Sequence, residues 1–153
     1  MVRIMNQIIE AGGTTAHLST FDDARMISHY ISPPLLISCH VAVEGGEVLG
    51  YQALEWCDPN WDGPGKLPSD WAVIASFVSG VARGFGVGRA LFAKTMIAAH
   101  KAGVSVIDAT IRADNELGLG YYSAIGFKDY DRLKDIPLSD GTKVDRIRKR
   151  FDL

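Results

Sequence analysis

Ser76-Phe77-Val78-Ser79-Gly80-Val81-Ala82-Arg83-Gly84-Phe85-Gly86-Val87-Gly88-Arg89-Ala90-Leu91 is the stretch that decides the fold. The apolar run Ala72 to Val78 ends at a turn, and Gly84, Gly86 and Gly88 follow at alternate positions. An amphipathic helix then begins, with Val87 and Leu91 four apart and Ala90 and Ile97 seven apart. A strand, a glycine-rich turn and a helix N-terminus together form a backbone cradle for an anion. Glycine lets the chain approach the anion closely, and the first N–H groups of a helix have no intrahelical partner.

Three phosphate-loop patterns are compatible with such a turn. The Walker pattern needs Gly-Lys-Ser/Thr, which occurs nowhere in the chain. The dinucleotide pattern Gly-x-Gly-x-x-Gly would place its third glycine at Arg89 or Leu91, so it fails as well. The spacing that remains is Arg83-x-x-Gly86-x-Gly88. It resembles the pyrophosphate loop of the GNAT superfamily of acyl-CoA-dependent N-acetyltransferases, Arg/Gln-x-x-Gly-x-Gly/Ala.

The bulk properties are consistent with one domain, residues 1–153. The length supports a single core. Hydrophobic residues at 47% and charged residues at 22% match a globular domain. A net charge of −2 gives no general electrostatic support to a nucleic-acid partner. No apolar run approaches a membrane span and no signal peptide is visible, so a cytoplasmic protein without a membrane partner is expected. Cys39 and Cys57 do not face each other in the expected hairpin register, and both read as reduced thiols.

Along the chain, Val2 to Ala11 reads as a helix stopped by Gly12-Gly13. A second helix, capped by Thr20, runs to about Tyr30. Leu35 to Glu44 and Glu47 to Trp56 form a hairpin about Gly45-Gly46. A two-residue turn there puts Leu36, Ser38, His40, Tyr51, Ala53 and Glu55 on one unusually polar face, with Cys39 opposite Gln52. Cys57 to Asp70 is a long loop, carrying Trp61. Trp71 to Val78 reads as a central strand buried on both faces, and Val104 to Ile111 as its parallel partner across a right-handed crossover. Asn115 opens a short helix, Phe127 to Leu133 is a strand, and Lys143 to Phe151 is the last strand. The alternating Val144, Arg146, Arg148 and Arg150 suggest that this last strand is solvated at or near the sheet edge.

The segment Asn115 to Phe127 supports the resemblance. Many GNAT enzymes carry Asn-x-x-Ala-x-x-x-Tyr-x-x-x-Gly-Phe after the crossover strand. Asn115, Gly118 in place of Ala, Tyr122, Gly126 and Phe127 fall on those spacings, and Arg83 precedes Asn115 by 32 residues. Asn115 and Tyr122 are seven apart, which puts them on nearly one helix face, though adjacent Tyr121 competes for the exposed position. The opening Asn6-Gln7-Ile8-Ile9 with Thr14-Thr15-Ala16 is also similar to phosphinothricin acetyltransferases. The fold the resemblance implies is α/β: a mixed, mostly antiparallel central sheet with a β-α-β crossover and helices on both faces. GNAT chains usually open with a strand, whereas this one begins almost directly in the helix. Either that edge strand is missing or the chain starts late relative to its relatives, and a partner subunit in a homodimer would cover the edge.

The resemblance further implies acetyl-CoA as co-substrate and no metal. Phe77, Val78, Arg83, Gly84, Phe85, Gly86, Val87, Gly88, Arg89, Asn115 and Tyr122 would bind it. An N–H near Val78 would polarise the thioester, and Tyr122 would protonate the departing thiolate. The acceptor would be the primary amine of a small molecule, attacking directly. Phosphinothricin acetyltransferases use a central-strand glutamate to deprotonate the amine. Val73 stands there in this sequence, which leaves Glu55 as the best substitute, ahead of Asp70 and His40. The Val73 departure keeps open an acyl-CoA-binding module without transferase activity. A peptide N-terminal or lysine acetyltransferase is a further alternative.

Overall fold

The computed structural model describes residues 1–153. Helix α1 (Val2–Ala11) comes first, and Gly12 ends it at a φ of 72°. Helix α2 (Asp23–Met26) runs on into a π-helical turn, Ile27–Ile31. Its cap is Asp22, not Thr20: the Asp22 carboxylate accepts from the Arg25 N–H at 2.7 Å. The remaining elements are β1 (Leu36–Glu44), β2 (Glu47–Trp56), β3 (Trp71–Val78), α3 (Val87–Ala102), β4 (Val106–Arg112), α4 (Glu116–Ala124), β5 (Lys128–Pro137) and β6 (Lys143–Asp152).

The strands form one sheet in the order β1-β2-β3-β4-β6-β5, antiparallel except for β3 and β4. Parallel pairing between these two covers only Trp71↔Val106, Ala72↔Ile107 and Val73↔Asp108, and beyond Val73 they separate. The strands alternate sides as a two-residue period requires. Ala72 and Ile74 pack with Leu54, Ile107, Ala109, Phe92 of α3 and Tyr122 of α4. On the opposite face Ala75, Phe77, Tyr51 and Ala53 pack with Ile4 and Met5 of α1 and Met26 of α2. Helices therefore cover both faces.

The hairpin turns at Gly45 and Gly46, both at positive φ (57° and 82°), as its two-residue loop demands. Its expected register holds next to the turn and again at Leu36↔Glu55. An irregularity between Ala42 and Val43 shifts the pairing, so Cys39 opposes Ala53 and His40 opposes Gln52. Such a shift sends the side chains from Ser38 to Ala42 to the other face, until a second irregularity between Leu36 and Ser38 reverses it. Ser38 and His40 thus leave the face of Tyr51 and Ala53, and Cys39 and Val41 replace them. Both cysteines are free thiols.

The last strand is also corrected. β6 lies between β4 and β5, inside the sheet. Arg148 is only 4% exposed, with Asp108 3.4 Å and Asp131 3.2 Å from its guanidinium. A buried cation needs such partners, and the alternating arginines disguised a paired interior position as a solvated one. β1 and β5 are the sheet edges, and Val41 and Val43 of β1 are exposed. No helix is long and apolar enough to cross a membrane.

Candidate active site

The glycine turn lies at the C-terminal end of β3, where β3 and β4 part. Gly84 and Gly86 take φ of 83° and 80°, a region that penalises any side chain. Gly86 is the N-cap of α3 and offers no side-chain cap, so the first α3 N–H groups are left for an outside acceptor. Gly88 serves a different need, since a Cβ there would lie 2.7 Å from the Tyr121 ring.

Asn115 caps α4 and ties it down. Its Oδ1 accepts from the Gly118 N–H at 2.9 Å, and its Nδ2 donates to the Thr14 carbonyl at 3.1 Å. A Cβ on residue 118 would lie 2.6 Å from Asn115 Nδ2, so an alanine there would require the Asn115 amide to shift. The two tyrosines of α4 then diverge. Tyr121 donates to the Gly88 carbonyl at 2.8 Å. Tyr122 is 6% exposed, and its hydroxyl lies 2.9 Å from Ser76 Oγ. Gln52 of β2, fully buried, donates to Ser76 Oγ at 2.8 Å and to the Tyr121 oxygen at 3.2 Å. Burial raises both tyrosines above the ordinary phenol range, Tyr122 the more strongly.

The glycine turn, Asn115, Gly118, Tyr121 and Ser76 border a cavity of about 520 Å³, a size that accepts a small-molecule ligand. Among the sequence-predicted residues, Phe77, Val78, Arg83, Gly84, Gly86, Val87, Gly88, Arg89 and Asn115 line it. Three expected residues do not. Phe85 is 81% exposed, Tyr122 sits behind Ser76, and Glu55 lies further back along the sheet, opposite Val73. Arg89 is held by its bond to the Ala124 carbonyl at 3.1 Å. Arg83 enters no ion pair.

The face of β3 that carries Val73 has its own charged groups. Glu55 and Asp108 flank Val73 on the two neighbouring strands. Asp108 is fully engaged: Tyr130 donates to it at 2.6 Å, Thr110 at 2.8 Å, and Arg148 lies alongside. Glu55 is half-buried, and burial alone raises its carboxyl. His40 projects from the opposite face, with Gln52, and Asp70 accepts from Ser105 at 2.6 Å. Neither accompanies Glu55. Above this face His17 Nε2 lies 2.8 Å from the Tyr30 hydroxyl, and Tyr30 packs on Tyr51 and Phe77. Burial first, then Arg25 and His29, lower His17 to about 4.

The profile of the Acetyltransferase (GNAT) family matches residues 5–127. The chain belongs to this family. Solved structures share its GNAT fold over nearly its whole length. A ribosomal-protein-alanine N-acetyltransferase from Brucella melitensis is 22% identical, with a TM-score of 0.79, covering 99% of this chain and 91% of its own. A GCN5-related N-acetyltransferase from Kribbella flavida is 25% identical at 0.77, covering 100% and 90%. A phosphinothricin acetyltransferase from Sinorhizobium meliloti, solved in complex with AcCoA, is 19% identical at 0.78, covering 99% and 80%. No curated protein matches the chain by sequence.

Within the GNAT frame, the polar pair Gln52 and Ser76 escaped sequence reading. Each is one polar residue inside an apolar strand. The only available signal was that interruption, and pairing them requires the β2–β3 register Gln52↔Ser76. Thr14 also lines the cavity without having been expected there, and of the two competing tyrosines it is Tyr121, not the favoured Tyr122, that lines it. No group of three or more His, Cys, Asp or Glu side chains is arranged to hold a metal ion.

Proposed function

We propose that this GNAT protein transfers an acetyl group from acetyl-CoA to the primary amine of a small molecule. The observation that carries the reading is the cavity itself. It joins an uncapped helix N-terminus and an unpaired Arg83 at one end to the end of β3, beyond its pairing with β4, at the other. The backbone N–H groups from Gly84 to Arg89 would hold the pyrophosphate, with charge from Arg83. The pantetheine arm would run along Phe77 and Val78, and an N–H near Val78 would steady the tetrahedral oxyanion. Tyr122 would supply the proton that the leaving thiolate takes.

Glu55 is the group we assign to accept the amine proton. It flanks Val73, where relatives place a glutamate, and no charged partner holds it ionised. A raised carboxyl is better matched to that task at neutral pH. Asp108, on the other flank, is already committed to Tyr130, Thr110 and Arg148.

Thiol release from acetyl-CoA should be followed across amino acids, polyamines and aminoglycosides. On any true substrate, Tyr122→Phe should lower kcat by about 10²–10⁴-fold, and an unchanged kcat refutes the acid assignment. The valine at position 73 favours one competing reading, an acyl-CoA-binding module. Tight CoA binding with no turnover on the whole panel would establish that reading instead.

A further inference from the structure

We propose that Ser76 is the residue that meets the departing sulfur, and that Tyr122 acts through the Ser76 hydroxyl. The inference rests on the acetyl-transfer reading above and locates its acid step on a different atom.

Access is the first argument. Ser76 lines the cavity, whereas Tyr122 does not and is 6% exposed. The donor arm, laid along Phe77 and Val78, passes directly beside Ser76. Its sulfur would find the serine hydroxyl in front and the phenol behind.

Hydrogen-bond directions supply the second. A hydroxyl has one proton to give and two lone pairs. The Gln52 amide nitrogen can only donate, so its 2.8 Å bond uses one lone pair of Ser76. Tyr122 lies 2.9 Å away with no other hydrogen-bonding partner in the protein. When Tyr122 donates, the second lone pair is used and the Ser76 proton is left to point into the cavity. Tyr121 cannot substitute, since its proton is committed to the Gly88 carbonyl at 2.8 Å.

A third argument is that the arrangement is costly for packing alone. Ala72 and Ile74, on the same face of β3, are apolar. Gln52 is fully buried, and its Oε1 has no partner. A buried acceptor left unsatisfied opposes folding, a penalty that two apolar residues at positions 52 and 76 would avoid.

The step balances as a relay. The C–S bond breaks with its electron pair on sulfur. Sulfur takes the Ser76 proton, and Ser76 Oγ takes the Tyr122 proton. The Tyr122 phenolate, disfavoured by burial, recovers a proton from solvent. The attacking amine gives one up through Glu55, so the overall count closes.

The test compares leaving groups. Ser76→Ala should lower kcat with acetyl-CoA by about 10²-fold while KM for acetyl-CoA stays within about twofold, and Ser76→Thr should restore most of the rate. With S-acetyl 4-nitrothiophenol, whose thiol is acidic enough to leave unaided, the ratio of wild type to Ser76→Ala in kcat/KM should fall towards one. A full rate in Ser76→Ala beside an impaired Tyr122→Phe would overturn the proposal, because Tyr122 would then reach the sulfur itself. An equal loss with both donors would also overturn it, reducing Ser76 to a structural role. If no amine is acetylated, the transfer reading fails, but the contact can still be judged by titrating the thiol of bound CoA through its thiolate absorbance. A lower thiol pKa in wild type than in Ser76→Ala supports the contact, and equal values refute it.

Discussion

The two ends of β3 are built on different principles. The cavity at its C-terminal end is largely backbone and nearly contiguous: Ser76 to Arg89 supplies the strand end, the turn and the helix start, and α4 with Ile8 and Thr14 closes it. The Val73 end is side-chain chemistry gathered from distant segments, with Glu55 from β2, Asp108 from β4, Arg148 from β6, Tyr130 from β5 and His17 from the loop after α1. On the proposed reading, donor recognition would be a property of conformation, whereas acceptor chemistry would depend on strand register.

The sharpest way to separate the two regions is Asp108→Ala. It leaves Arg148 without its one buried counter-charge, and breaking a buried pair this way costs about 3–5 kcal/mol. Urea unfolding should show that loss. At temperatures where the variant still folds, its affinity for CoA should stay within about twofold of wild type, because the anion cradle is at the other end of β3. A variant of full stability would mean that Arg148 finds solvent or Asp131 sufficient.

Glu55→Gln should come next in size. On a true acceptor, kcat/KM should fall by about 10²-fold with KM for acetyl-CoA unchanged, and the acidic limb of the pH profile should vanish. Burial raises the Glu55 carboxyl in the folded state, so the folded chain holds that proton more tightly than the unfolded one. The charged form thus costs stability at pH above the folded pKa, and the cost is absent below the ordinary carboxylate range. Glu55→Gln should accordingly be more stable than wild type at neutral pH while being slower. An acidic limb that survives the substitution points to another base.

This contrast also explains what the sequence could convey. The glycine spacing, Asn115 and the strand–helix–strand order are local, and the structure places them as expected. A hairpin register is not local. The turn at Gly45-Gly46 is written in the sequence, but the shift at Ala42 and Val43 is not, and it moved Ser38 and His40 to the wrong face. Arg148 misled for a similar reason. Alternating arginines look solvated until Asp108, forty residues earlier, is brought beneath them. Tyr122 was found by its motif, yet its separation from the cavity by Ser76 depends on which polar residue of β3 faces it.

On the legible side, Gly86→Ala should have a smaller effect. Forcing a side chain into the left-handed region costs about 1–2 kcal/mol, and nothing within 4 Å opposes the added methyl itself. The loss should therefore come from backbone strain, and it should weaken CoA binding together with stability. A variant that binds CoA normally would show that the turn does not need its observed φ to hold the donor.

The smallest expected effect is in the other region, at His17. Its pKa is lowered to about 4 by burial, then by Arg25 and His29, against an ordinary value of about 6.5. Between these limits the unfolded chain takes a proton that the folded chain refuses, so folding stability must fall as pH drops through this window. His17→Gln keeps a polar group near the Tyr30 hydroxyl but cannot titrate, and its stability should decline less steeply over the same range. Glu55 acts with the opposite sign at the acidic end, since its raised carboxyl favours the folded state as pH falls. The comparison is therefore cleanest in a Glu55→Gln background, where only His17 differs. Identical slopes for Glu55→Gln and the double variant would show that His17 protonates as easily in the fold as out of it, and that the lid of aromatic residues over Glu55 is wetter than its packing implies.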